Sequence, residues 1–411
     1  MNLLQPWSLR EFVADLAAHR TSPEEGTQRA LNRIRETDSA VQAWVDLVPT
    51  PAITGVGPLR GVPMGVKDII DLAGMPTRCG SVLRTAAKPA LKDAAIVEAW
   101  RSAGAIPVGK TVTTEFAYFK PGPTRNPANL DHTPGGSSSG SAAAVAAGQV
   151  PIAIGSQTAG SVTRPASYCG VASLVMKNGQ FPLTGVVGLS SSLDAHGIFA
   201  ATASDLSLAW SALSGQPDLP GKMMAPRIAF WTADPLGVVT DEMNTAMSAA
   251  CASFSDNGAQ LHPFPDEALI AELTAAHRVV MAYEASRERA AELEHIDQLS
   301  EPLATLLTAG SSMPEADYME ARRLVTDARR IVDRVLGQYD AIIGPAAPGS
   351  APLGTNVTGD PVLSRAWQAL GLAAVAVPGL RNASGLPLGF QVVAATEIQA
   401  LLAAAWAEQH L

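Results

Sequence analysis

The chain is predicted to fold as a single α/β domain, on three observations. Short apolar runs with glycine punctuation alternate with helical patterns between residues 59 and 215, the alternation expected of strands and helices packed in layers. The same buried-strand pattern resumes in DAIIGPAAP (340–348) and GLAAVAVPGL (371–380). No Pro/Ser/Gly run of linker length separates these stretches. With 47% hydrophobic and 16% charged residues over 411 positions, the chain can bury a large core, and a disordered chain is excluded.

The elements follow in order. Residues 8–45, within an N-terminal helical segment of 1–50, read as two amphipathic helices. Leu9, Phe12, Val13 and Leu16 share one face of the first. Ser22, followed by Glu24 and Glu25, is placed to cap the second. The α/β core, 59–215, opens with LRGVPMGVKDII (59–70), a buried strand, then a helix over 93–105 with a glycine stop. IPVGKT (106–111) returns to strand character. Small residues over 141–148 form a helix able to approach neighbouring backbone closely, and PIAIG (151–155) is a strand. Residues 236–340 carry longer, more charged helical patterns (265–295, 314–337) and read as a variable helical region inserted before the sheet strands of 340–411.

A net charge of −9 without a long basic run argues against nucleic acid or an anionic membrane as partner. Three scattered cysteines give neither a disulfide framework nor a zinc ribbon, and the histidines lack ligand spacing, so no metal and no cofactor are expected. The first twenty residues lack a basic region leading into an apolar core, and no apolar run is long enough to span a bilayer. A soluble, cytoplasmic protein is expected.

The chemistry concentrates in PGGSSSGSAAAVAAGQVPIAIGSQTAGSVTRPASYCG (134–170). Ser161 follows a strand and closes the turn Thr158-Ala159-Gly160, whose small side chains leave backbone N–H groups free to face a carbonyl. That suits an amide-hydrolysing nucleophile; an ordinary Gly/Ser loop is the alternative. Lys67 lies in an apolar run, where burial would lower its pKa and make it a base; a strand-end pair with Asp68 is the alternative. Ser137 sits in Gly135-Gly136-Ser137-Ser138-Ser139-Gly140, opening straight into a helix.

Two motif matches are set aside. GAIPVGKT (104–111) fits the nucleotide-binding G-x-x-x-x-G-K-[ST], but its filling is strand-like and it follows a helix rather than a strand. GSSSG (136–140) fits a nucleophile elbow centred on Ser138, with Asp194 and His196 in triad order, yet loop rather than strand precedes it.

Together these segments resemble the amidase signature family. The resemblance covers GVPMGVKDI (61–69), residues 92–117, the whole of 134–170, GVVGLSSSLDAHGIFA (185–200), and LGLAAVAVPG and GLPLGFQVV near the C-terminus. It implies one α/β domain with a large mixed, twisted sheet covered by helices on both faces. It further implies Lys67 as base, Ser137 (joined through a cis peptide) as the bridge between lysine and nucleophile, and Ser161 as the acyl-accepting nucleophile. The N–H groups of Thr158, Ala159, Gly160 and Ser161 would then form the oxyanion hole.

Departures from the common pattern narrow the reading. GSQTAGS brings Gln157 and Ala159, and Ser161-Val162-Thr163-Arg164-Pro165 shifts the arginine by one place. With the late GDP…RAW (359–367), these are similar to a malonamidase-like branch and make Arg164 and Gln157 candidates for substrate binding. A structural arginine bonded to nearby carbonyls is the alternative for Arg164. Tyr118, Phe119 and the helices over 265–320 are candidate pocket walls. LVMKNG and AATASD also depart from the usual pattern without removing a catalytic group. The expected reaction is hydrolysis of a small amide, carbamate or aryl amide by a homodimer. The alternatives are a glutamine-hydrolysing protein like the A subunit of an amidotransferase, and a binding protein with a relic site.

Overall fold

In the computed structural model, which describes residues 3–53, 56–220 and 223–411, eleven strands form one sheet. They are β1 (Trp44–Leu47), β2 (Pro63–Lys67), β3 (Ile106–Thr111), β4 (Ile152–Gln157), β5 (Ala172–Val175), β6 (Ala195–Ala200), β7 (Arg227–Phe230), β8 (Gln260–Pro263), β9 (Ala341–Pro345), β10 (Ala373–Arg381) and β11 (Pro387–Ala394). Their order across the sheet is β1-β3-β2-β4-β6-β5-β10-β11-β9-β7-β8. The pairs β3–β2, β2–β4, β9–β7 and β7–β8 are parallel and the rest antiparallel, so the sheet is mixed.

Every residue of β2, β3, β4, β6, β9 and β11 is buried. Successive side chains of a strand point to opposite faces, so full burial means both faces of the sheet are covered. The helix Ser139–Ala146 is built of Ser, Gly, Ala and one Val and is buried along its whole length against β2, β3 and β4. A Cβ on Gly140 would lie 2.2 Å from the Ala43 carbonyl oxygen and 2.3 Å from Val112 N, so only glycine allows that approach.

The N-terminal helices run Leu9–Ala17 and Pro23–Val41. Ser22 caps the second in a full capping box: its hydroxyl accepts from Glu25 N, and the Glu25 carboxylate accepts from Ser22 N. The helical reading to residue 45 overruns, because Gln42 turns left-handed (φ 56°) and the chain enters β1. The helical stretch 236–340 holds the long helices Asp241–Asp256, Glu267–Glu288, Glu301–Ser311 and Glu315–Leu336. It also holds an unexpected strand, β8, an exposed sheet edge of four residues without an apolar run to signal it. Among the described residues no helix is long and apolar enough to cross a membrane.

Candidate active site

Lys67 ends β2, held between β3 and β4, and has no solvent exposure. Its Nζ lies 2.7 Å from Ser137 Oγ, 3.0 Å from Ser156 Oγ and 3.3 Å from the Ser156 carbonyl oxygen. Burial lowers its pKa to about 7, against the smaller opposing pull of Asp194 and Cys79. The amine is therefore poised near neutrality and surrounded by hydroxyl and carbonyl oxygens.

Asp68 is not its partner. Asp68 pairs at 3.0 Å with Lys110, both side chains buried, and Lys110 also donates to Thr77 Oγ1. Lys110 is the lysine of GAIPVGKT, and that run is the interior strand β3, so it forms no phosphate-cradling loop.

Ser137 follows a left-handed Gly135 (φ 79°), and the Gly136–Ser137 peptide bond is cis. Its carbonyl accepts from Thr114 N, while Arg164 Nη2 donates to the Gly136 carbonyl at 2.7 Å. Ser138 is fully buried. Its N–H donates to the Ser161 carbonyl and its hydroxyl to the Ser156 carbonyl, which zips the two serine turns together. The elbow constellation is not assembled. Asp194 accepts from Thr158 Oγ1, Leu189 N and Ser190 N, whereas His196 Nε2 meets the Pro182 carbonyl.

The second turn connects β4 to the helix Thr163–Cys169. Among the described residues, the N–H groups of Thr158, Ala159, Gly160 and Ser161 donate to no protein acceptor, leaving four adjacent donors. The turn is fixed from behind. Thr158 Oγ1 donates to Asp194 at 2.5 Å, and the Thr158 carbonyl meets His277 Nε2 at 2.8 Å. Gln368 Nε2 donates to the Gln157 carbonyl at 3.1 Å.

Gln157 corrects a sequence expectation. Its Oε1 accepts from Val162 N and Thr163 N, at 2.9 and 3.1 Å, and its Nε2 donates to Gln368 Oε1. The side chain closes the turn and satisfies the first N–H groups of the following helix, which has no side-chain cap from Val162. Its amide is occupied with shaping the turn, and it is not among the residues that line the cavity around Ser137 and Ser161.

Ser137, Thr158, Ala159 and Ser161 line one cavity, together with Tyr118, Phe119, Arg164 and Arg365. Residues Phe116, Ala117 and Phe119 carry positive φ (45°, 61° and 30°), a costly backbone for side-chain-bearing residues. Glu115 holds that loop: its carboxylate accepts from Ser81 Oγ and from Ser300 N, both at 2.8 Å. Arg164 is 3% exposed, and among the described residues its Nε and Nη1 have no hydrogen-bond acceptor. Arg164 Nη2 is thus bonded to a nearby carbonyl, as the structural alternative expects, while Nε and Nη1 lack an acceptor beside the cavity.

Arg365, Leu189 and Met281 line the same cavity; the stretches that carry them are marked in the sequence, but none of the three stands out there as a site residue. Arg365 also borders two wider, more open cavities, with Arg278 lining both. Among the described residues no group of three metal-ligating side chains is gathered.

Residues 25–399 match the Amidase family. The chain is 32% identical to the AtzE component of 1-carboxybiuret hydrolase from Pseudomonas sp. (strain ADP), over 94% of both chains. It is also 32% identical to the A subunit of glutamyl-tRNA(Gln) amidotransferase from Lysinibacillus sphaericus (strain C3-41), over 94% of this chain and 92% of that one. A solved crystal structure of an amidase superposes with a TM-score of 0.87 at 27% identity, over 98% of this chain and 100% of that chain. The chain belongs to the amidase signature family, and with it to the hydrolases that act on amide C–N bonds.

Proposed function

We propose that this protein hydrolyses small, carboxylate-bearing amides through an acyl-enzyme on Ser161, with Ser137 and Lys67 relaying protons. The observation that carries the reading is the 2.7 Å contact between Ser137 Oγ and the buried Lys67 Nζ, whose pKa lies at about 7. Neutral Lys67 accepts the Ser137 proton as Ser137 accepts that of Ser161, and Ser161 Oγ attacks the carbonyl carbon. The N–H groups at 158–161 stabilise the oxyanion. Collapse breaks the C–N bond as the proton returns through Ser137 to the leaving nitrogen. Water then attacks the ester by the same relay and frees the acid.

The N–H groups of Arg164 that lack an acceptor, beside the cavity, support an anionic substrate. The name of the carboxybiuret hydrolase relative, which carries a carboxyl group in its substrate, points the same way. The test is an amide panel comparing malonamate, the neutral malonamide, aryl acylamides and carbamates, with Ser161→Ala and Arg164→Ala as controls. Preference for the carboxylate, lost in Arg164→Ala, is expected; indifference to the carboxylate would overturn the substrate reading.

A second reading is a component that releases ammonia from glutamine within a complex, favoured by the 32% identity to an amidotransferase A subunit. Glutaminase activity that appears only on adding a partner protein would select it. A homodimer is the proposed assembly for the stand-alone enzyme, and sedimentation of the purified chain tests it.

A further inference from the structure

We propose that His277 is a positioning residue whose two ring nitrogens fix the oxyanion turn and Arg365 relative to each other. The inference rests on reading 158–161 as the oxyanion hole and the substrate as a carboxylate. His277 lies on the helix Glu267–Glu288 and has no solvent exposure. Its Nε2 is 2.8 Å from the Thr158 carbonyl oxygen, which can only accept. Its Nδ1 is 3.0 Å from Arg365 Nη1, which can only donate. These partners dictate the neutral tautomer with the proton on Nε2.

Arg365 is otherwise short of partners. Among the described residues no carboxylate forms an ion pair with it, and its Nε has no hydrogen bond, although the residue is 5% exposed. A guanidinium held by a neutral imidazole keeps its charge available to an incoming anion in the cavity it shares with Ser137 and Ser161. The same imidazole holds the carbonyl of the first turn residue, and so sets the direction of the N–H groups that follow. Anion binding and oxyanion geometry thereby meet in one side chain, contributed by the variable helical region.

Asparagine and glutamine at 277 separate the two bonds. His277→Asn places an acceptor where Nδ1 lies and loses the reach to Thr158; His277→Gln places a donor where Nε2 lies and loses the acceptor for Arg365. Phenylmethanesulfonyl fluoride, an uncharged reagent for serine nucleophiles, reads the turn; malonate titrated calorimetrically reads the arginine. His277→Asn is expected to slow sulfonylation by about tenfold with malonate affinity kept. His277→Gln is expected to weaken malonate by about tenfold with sulfonylation kept.

Equal loss of both readouts in both variants, or no change in either, overturns the inference. Independently of variant folding, ¹⁵N-histidine spectra of the wild-type chain are expected to show His277 protonated at Nε2 alone; a proton on Nδ1 overturns it. Malonate failing to bind the wild-type chain would overturn the carboxylate reading, and wild-type sulfonylation rates in Ser161→Ala would overturn the nucleophile beneath it.

Discussion

The two sides of the cavity are built in contrasting ways. The reacting side comes from one contiguous stretch, 67–161, in which Lys67 ends a fully buried central strand and each serine lies in a turn. The facing wall comes from distant segments: Met281 from the long helix Glu267–Glu288, and Arg365 from the helix Val362–Ala369. The first side has little freedom, because adjoining strands and the Ser138–Ser161 bond fix its register. The second is positioned by side-chain bonds between helices and turn. On the proposed mechanism, reaction chemistry depends on strand order, and substrate choice on helix packing.

The sharpest break in this contrast is chemical. Ser161→Ala and Lys67→Ala should each lower kcat by about 10⁴-fold or more on any amide, since members of a proton relay act as a unit. Single-turnover assays on purified protein check this, and retained turnover in either variant would remove it from the relay. Substitution of the cavity's arginines, Arg365 on the facing wall and Arg164 beside the nucleophile's turn, should act selectively. Arg365→Ala and Arg164→Ala should each raise KM for a carboxylate-bearing amide by about ten- to a hundredfold, the size of a lost charge-assisted bond, and leave the neutral diamide near wild type. Equal losses on both substrates would make the arginines structural only.

Gln157→Ala should cost about 1–3 kcal/mol of stability, as Val162 N and Thr163 N lose their acceptor in a buried turn. Urea melts would detect it, and an unchanged midpoint would show that the turn holds without its staple.

Much of the reacting side is readable in the amino-acid sequence, because strand, turn and small-residue helix follow one another locally and each has its own pattern. Lys67 stands out as a charge in an apolar run, and Ser161 as the residue ending a strand-borne turn. The burial that lowers the Lys67 pKa has a sequence signal; its hydroxyl partner Ser156 on β4 does not. Gln157 misleads, since a polar residue beside the nucleophile looks like a substrate contact until its bonds to Val162 N and Thr163 N are seen. His277 and Arg365 are marked only by region, within the helices over 265–320 and the RAW run, and only the packing of two helices against the turn brings them together. Strand β8 is hidden because an exposed edge needs no apolar alternation.

Lys67 also makes a smaller prediction about stability. Its folded pKa of about 7 lies below the ordinary 10.5, so between those values the unfolded chain binds a proton that the folded chain does not. Wild-type stability should therefore rise with pH across that window. Lys67→Met should lose this part of the slope, and identical slopes in denaturant titrations at about pH 7 to 9 would contradict a buried neutral amine.

The most direct test of the central claim is the pH dependence of kcat/KM, which reports ionisations of the free enzyme. A buried lysine acting as base predicts activity that climbs with pH through a single ionisation at about 7 and then levels off. A profile flat from about pH 6 to 9, where ordinary lysines stay charged throughout, would contradict Lys67 as the base that drives Ser137 and Ser161.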